Sequence, residues 1–387
     1  MGISNRVGPP VEGENFYGRD KEIRNANRLL DSHHSLLLSA PRRIGKSSLA
    51  KRLIEEKKAQ SWKCVYIDLE QTTTEEGFLR LVIDSFEKNG IWEQITDGIS
   101  QGLKSLLERI HKVSIGPIGI DLSRKEDHED LYKNLKELIR HDEDTLIVVD
   151  ELTLFLNALL RSENGEEKVS FILNWLRSIR QISGTCIRWL FCGSVGLKNF
   201  TASLNLSFTI NDLTDFSLDE LTRDEAKGLL NGLCNGEGIE MTDEIIDYIL
   251  DKLYWNIPYF IQIIFSKISQ GYEGAITTAD IDKAYRELCS ESYLSTWSER
   301  LVEYREFELP ARQILKALAS RKAGLKRETL LNILMTGKAP SKADETDLLL
   351  SNVLQMLEND GYLIRKDALR AFRSPLLRDF WYERFVQ

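Results

Sequence analysis

The chain has 387 residues, 42% apolar and 29% charged, with 24 Gly and 8 Pro. That length suits two to three domains of roughly 150 residues, each able to bury a core, and the composition excludes collagen-like, coiled-coil and wholly disordered chains. The formal net charge is −9, unevenly spread: from Arg300 onward 16 Lys+Arg face 12 Asp+Glu, leaving 35 against 48 before it, so only the C-terminal part could favour a polyanion. The apolar runs from Leu36 and Leu146 are far shorter than the roughly 20 residues a membrane-spanning helix needs, and the opening MGISNRVGPPVEGENF has no signal-like apolar stretch. The expectation is a cytoplasmic protein with no membrane contact. Cys64, Cys186, Cys192, Cys234 and Cys289 form no CxxC pair, and His33 and His34 lack partners at ligand spacing, so neither a disulfide framework nor a zinc site is expected.

In chain order, SLLLSA at 35–40 predicts a strand that runs through PRRIGKSSLAKRLIEEKK into an amphipathic helix. Further strands are predicted at 64–69, 146–149 and 188–192, separated by helical periodicity, which implies a parallel, doubly wound α/β sheet. An insertion at about 71–142 should hold helices near 75–89, 99–112 and 127–141 around VSIGPIGIDLS. From Ser217 helices dominate, and after a polar stretch around 290–305 come helices at 308–319, 325–335 and 345–359, a hairpin in GYLIRKDALRAFRSP and a last helix, LLRDFWYERF. The expected domains are an α/β P-loop core at 1–215, a helical lid at 216–299 and a winged helix at 300–387.

The strongest chemical signal is Ala40-Pro41-Arg42-Arg43-Ile44-Gly45-Lys46-Ser47-Ser48, between a strand and a helix. A P-loop wraps backbone N–H groups around phosphate at a helix N-terminus; Gly45 would avoid a Cβ clash, Lys46 reach the β- and γ-phosphates and Ser47 ligate magnesium. Ala40 replaces the usual first glycine. Leu146-Ile147-Val148-Val149-Asp150-Glu151 then ends a buried strand in two carboxylates, where α/β proteins bind ligands. Asp150 is assigned to the Mg2+ shell and Glu151 to the general base that polarises water, with Asp68 and Glu70 at the end of the second strand. Cys192-Gly193-Ser194 places a hydroxyl, Ser194, where it could sense the γ-phosphate.

Asn15-Phe16-Tyr17-Gly18-Arg19-Asp20, PRRIGKSSL, IVVDE, FCGS and Asn256-Ile257-Pro258-Tyr259 together make the whole chain resemble the archaeal-type ATPases, P-loop proteins close to AAA+, STAND and origin-recognition ATPases. The resemblance implies an AAA+-like core with lid and winged helix, that Phe16 to Arg19 line the adenine and ribose pocket, and that Pro258 and Tyr259 face the nucleotide. Gly196 to Ser207 has no arginine finger and the lid turn WNIPY has no arginine, which points to slow hydrolysis. The function expected is an ATP- and Mg2+-dependent switch acting on a protein partner, with phage defence as a setting drawn from the resemblance. The alternatives are an initiator-like clamp on DNA and a nucleotide-holding scaffold without turnover. The third helix and its flanks, from Asp344-Glu345-Thr346-Asp347 through Glu358-Asn359-Asp360, carry five acids and no base, so DNA contact would fall to the wing residues Arg365, Lys366, Arg370 and Arg373.

Overall fold

The computed structural model describes residues 2–89, 132–133, 135–136, 143–194, 196–271, 274–337 and 339–387. The expected helix at 99–112, the VSIGPIGIDLS segment and most of the helix at 127–141 lie outside the described residues. The chain divides into two compact units, one of Lys21–Ser39 and Leu49–Ser217, the other of Met1–Asp20, Ala40–Ser48 and Leu218–Gln387.

The first unit is built on a parallel sheet of β1 (Leu36–Ala40), β2 (Lys63–Asp68), β3 (Thr145–Asp150), β4 (Ile187–Ser194) and β5 (Thr214–Ser217), in the order β2-β3-β4-β1-β5. All six residues of β3 are buried, as an interior strand covered on both faces requires. In-register pairing of Lys63 with Thr145 through Asp68 with Asp150 brings the carboxyl ends of β2 and β3 level. Helices α1 (Asp20–Asp31), α2 (Lys46–Ala59), α3 (Glu75–Lys88), α4 (Leu152–Leu160), α5 (Gly165–Arg180) and α6 (Leu197–Ser203) alternate with the strands. On one face Phe78 of α3 stacks on Phe155 of α4 with ring centroids 5.0 Å apart and meets Trp175 of α5 edge-on. The sequence reading missed β5 because, as a sheet edge, it buries only Phe216 and so presents no apolar run.

The second unit contains α7 (Arg223–Glu237), α8 (Asp243–Leu253), α9 (Pro258–Gln270) and α10 (Thr278–Ser290), then α11 (Ser295–Glu299), α12 (Glu308–Ala319), β6 (Leu325–Lys326), α13 (Arg327–Met335), α14 (Ala343–Asn359), β7 (Leu363–Lys366), β8 (Leu369–Phe372) and α15 (Pro375–Phe385). The last three strands form an antiparallel sheet in the order β6-β8-β7, one strand more than the expected hairpin. The stretch at 290–305, polar in sequence, is a packed joint: Trp297 is buried, with ring centroids 6.0 Å from Trp255 and 5.2 Å from Tyr362. The N-terminal arm lies along α7, where Ile3 N–H donates to the Gly232 carbonyl at 2.8 Å. Gly228 admits Tyr17 to the same helix, since a Cβ there would fall 1.8 Å from the Tyr17 hydroxyl. Among the described residues no helix is long and apolar enough to cross a membrane.

Candidate functional site

Two constellations carry the chemistry, one in each unit. In the first, the chain leaves β1 at Ala40 and turns through Arg43 and Gly45, both at positive φ (64° and 104°), before α2 starts at Lys46. Open space surrounds the position a Gly45 Cβ would take, so the loop there is a cradle beside a helix N-terminus. Lys46 is 7% exposed, and its Nζ donates to the Ala40 and Pro41 carbonyls at 2.9 and 3.0 Å. An ammonium folded onto its own loop is what an anion in the cradle would draw outward, and the donor set suits a nucleotide's phosphates.

The flanks of the loop are tied down by residues that composition alone does not single out. Arg19 is buried: its Nη1 donates to Asp219 O at 2.6 Å, its Nη2 to the loop's Ile44 O at 3.2 Å, and its backbone N–H to Glu225 Oε1 at 3.0 Å. Burial pushes the Glu225 carboxyl up, but hydrogen bonds from Thr222 and Arg19 outweigh it and hold the group below its ordinary value. The Arg19 guanidinium therefore fixes the loop to the chain leading into α7 rather than facing a base. Ser48 Oγ accepts the Val11 N–H at 3.1 Å and so anchors the arm. Gly18 has φ 70° and Tyr17 is 38% exposed beside α7. Pro258 sits in the first turn of α9, and the Tyr259 ring is covered by the Arg43 guanidinium at 4.6 Å.

Asp360, at the end of α14, also belongs to this surround. The next residue, Gly361, has φ 83°, and a Cβ there would come within 2.8 Å of Pro41 and 2.7 Å of Trp255. Burial pushes the Asp360 carboxyl up to about 7; the Tyr304 hydroxyl, which donates to it at 2.6 Å, then Lys46 and Arg300 pull it down, while Glu303 pushes it up. Since an unfolded aspartate loses its proton near 4, the folded chain holds more protons than the unfolded one between about 4 and 7, and stability drains away as pH rises through that window. Asp360→Asn, whose amide oxygen still accepts from Tyr304, is expected to match the parent's melting temperature near pH 4, to gain on it as pH rises towards 7, and to be more stable at pH 8 by roughly 1–4 kcal/mol. Equal thermal stability of the two proteins at pH 8 would contradict this.

In the other unit, Asp150 is 2% exposed and closes β3; its Oδ1 accepts the Glu151 N–H at 3.0 Å and its Oδ2 the Tyr66 hydroxyl at 2.7 Å. Burial, then the Asp150 charge, raises the Tyr66 pKa, so the phenol stays a donor that orients the carboxylate. Glu151 has φ 54°, an uncommon left-handed conformation for a residue with a Cβ, and makes no side-chain cap bond to α4. Such strain, about 1–3 kcal/mol, gathers at functional positions. Asp68 stands in register with Asp150 across β2, exposed and accepting the Glu70 N–H at 3.0 Å. Ser194 closes β4. Among the described residues no group of three or more His, Cys, Asp or Glu could hold a metal by itself.

Residues 29–199 match the family model of the AAA domain. The Walker-type ATPase paby2304 of Pyrococcus abyssi is similar in structure, with a TM-score of 0.64 at 17% identity over 97% of this chain and 99% of that one. The ORC2 protein of Aeropyrum pernix, solved as ADPNP–ADP complexes, is similar with a TM-score of 0.51 at 14% identity over 99% and 97% of the two chains. No curated protein matches the chain in sequence.

Proposed function

We propose that the protein, whose residues 29–199 match the family model of the AAA domain, binds ATP with Mg2+ and hydrolyses it slowly, as a switch that acts on a protein partner. The observation that carries this reading is the cradle: an open turn at Gly45 leading into α2, with the buried Lys46 ammonium donating to two carbonyls of its own loop. On binding, Lys46 exchanges those carbonyls for phosphate oxygens while the N–H groups of Ile44 to Ser48 close round them. Ser47 and Asp150 would be the residues that hold Mg2+, which would supply charge neutralisation on the phosphates. Glu151 takes the proton of the attacking water, and Tyr66 keeps Asp150 oriented beside it. Ser194 reads the γ-phosphate, and Tyr17, Gly18 and Pro258 border the base. Slow turnover is argued from the absence of arginine in Gly196 to Ser207 and in the WNIPY turn.

We divide the chain functionally into core (1–215), lid (216–299) and a winged helix (300–387) that delivers the nucleotide state to the partner. The order α12, β6, α13, α14, β7, β8 supports the winged-helix reading. A second reading, an ATP-dependent DNA clamp, draws on one feature: Lys326 and Lys366 both pair with Leu369 and lie exposed across the small sheet, near Arg365. All four wing cations have partners within the fold: Lys366 Nζ lies 4.6 Å from the centroid of the Tyr254 ring and Arg365 Nε donates to the Asp367 carbonyl at 3.2 Å. Arg370 pairs with Glu358, and Arg373 lies 3.6 Å from Glu220 and over the Trp255 ring. On α14, Asp347 is paired with Arg327 and Glu345 with Lys342.

Phosphate release from ATP and Mg2+ by the purified chain tests the first reading, and a duplex-retention assay run in parallel tests the second. Magnesium-dependent release, with duplex retention that is weak and lost between low and physiological salt, is expected. Nucleotide binding without release would favour a scaffold. Tight retention at physiological salt would promote the clamp.

A further inference from the structure

The lid turn Asn256-Ile257-Pro258-Tyr259 has no arginine of its own, yet a guanidinium stands on it, supplied by the phosphate loop. Arg43 lies three residues before Lys46, inside the cradle, with its backbone at φ 64°. Its Cζ is 4.6 Å from the centroid of the Tyr259 ring, and its Nη1 donates to the Gly8 carbonyl at 3.1 Å. Its Nε is buried without a hydrogen-bond partner among the described residues, so the guanidinium is held by the ring and by the single bond to Gly8. The other half of the pair is rigid. Tyr259 is 7% exposed in the first turn of α9, behind Pro258 and the buried Ile257, and its hydroxyl donates to the Tyr293 carbonyl at 2.8 Å. Burial raises the Tyr259 pKa even against the opposing pull of Arg43, so the ring stays a neutral phenol whose face attracts a cation.

We infer that Arg43 is a positioning residue that couples the phosphate loop to α9 through the face of Tyr259, a task the lid turn cannot perform with a cation of its own. The inference rests on the ATP reading above and names how that site reports its state. Phosphate binding reshapes residues 42–46, which carry the Arg43 side chain, and Arg43 either keeps or leaves the ring. The start of α9 and, through the Tyr259 hydroxyl, the chain at Tyr293 feel that choice. A cation held over an aromatic ring and shielded from water corresponds to about a threefold to thirtyfold effect on an equilibrium.

The test is hydrogen exchange of the α9 amides in the full chain, with and without the fluorescent nucleotide mant-ATP, whose affinity is measured in the same samples. In the parent, mant-ATP should protect residues 258–265. Arg43→Ala and Tyr259→Leu should each remove that protection and weaken mant-ATP threefold to thirtyfold, and the double variant should be no worse than either. Tyr259→Phe, which keeps the ring, and Arg43→Lys, which keeps the charge, should restore much of the protection. Additive losses in the double variant, or full protection in Arg43→Ala, would overturn the inference. Were the parent to bind no mant-ATP, the P-loop reading would fail on its own account. The pairing would still be judged by nucleotide-free exchange at 257–261, where Arg43→Ala must loosen the turn and unchanged exchange would refute it.

Discussion

Replacing Lys46 by alanine is expected to reduce ATP affinity at least about a hundredfold and to abolish the rise in melting temperature that saturating ATP gives the parent. Hydrogen bonds from an ammonium to phosphate are worth roughly 1.5–3 kcal/mol each, so two of them supply that factor. The structure adds a second consequence. Lys46 Nζ is the donor to the Ala40 and Pro41 carbonyls, and a methyl group at this position would leave them without it. The nucleotide-free variant should therefore melt somewhat below the parent, by about 1–3 kcal/mol, while still unfolding in one cooperative transition. Fluorescent-nucleotide titration with a thermal melt separates the two effects. Parental affinity in a folded Lys46→Ala protein would remove the phosphate cradle from the account.

The second large effect belongs to Glu151. Glu151→Gln should bind ATP and Mg2+ as the parent does but turn over roughly 10²- to 10⁴-fold more slowly, because an amide can position water without accepting its proton. The left-handed backbone at φ 54° makes a companion variant informative. Glu151→Gly relieves the cost of holding a Cβ there, which offsets what the side chain contributes, so the glycine protein should stay close to the parent in stability while being equally inactive. Stability kept as activity vanishes would mark the conformation as held for chemistry. If Glu151→Gln released phosphate at the parent's rate, the base would have to be sought at Asp68 or Glu70.

What could be read from the chain beforehand follows from which contacts are local. The β1-to-α2 turn and the β3 carboxylates are legible because their apolar runs and glycine or acid endings are consecutive in sequence. Helices α7, α8 and α9 show as amphipathic periodicity, and β7 and β8 as alternation. The partners of those elements were not legible. Nothing in Phe16-Tyr17-Gly18-Arg19 says that the Arg19 guanidinium bonds to Asp219 and Ile44, 200 and 25 residues away, instead of lining a pocket. The glycines of α7 read as weak helix formers, whereas Gly228 is the seat of Tyr17. The four wing cations looked equivalent in sequence, and only the fold gives Arg370 and Arg373 the acidic partners Glu358 and Glu220, while Arg365 bonds to the Asp367 carbonyl and Lys366 covers the Tyr254 ring. Edge strands such as β5 and β6 escape for the opposite reason: too little of them is buried to leave a pattern.

The two units are interleaved along the chain, which passes from one to the other at Asp20, Ser39, Ser48 and Ser217. During synthesis the phosphate loop leaves the ribosome long before the groups that shape it. Asp219, Glu225, Tyr259 and Gly361 all lie in the segment that starts at Leu218. At roughly 5–20 residues per second, Tyr259 follows Arg43 by about 10–40 s. A nascent chain halted in that interval would carry the complete P-loop motif without its fasteners, and a message truncated after Ser217 would encode every catalytic residue named above while leaving the loop's partners unmade. Competence to hold nucleotide would thus arrive only with the segment from Leu218 onward, which keeps an unfinished switch from responding to ATP.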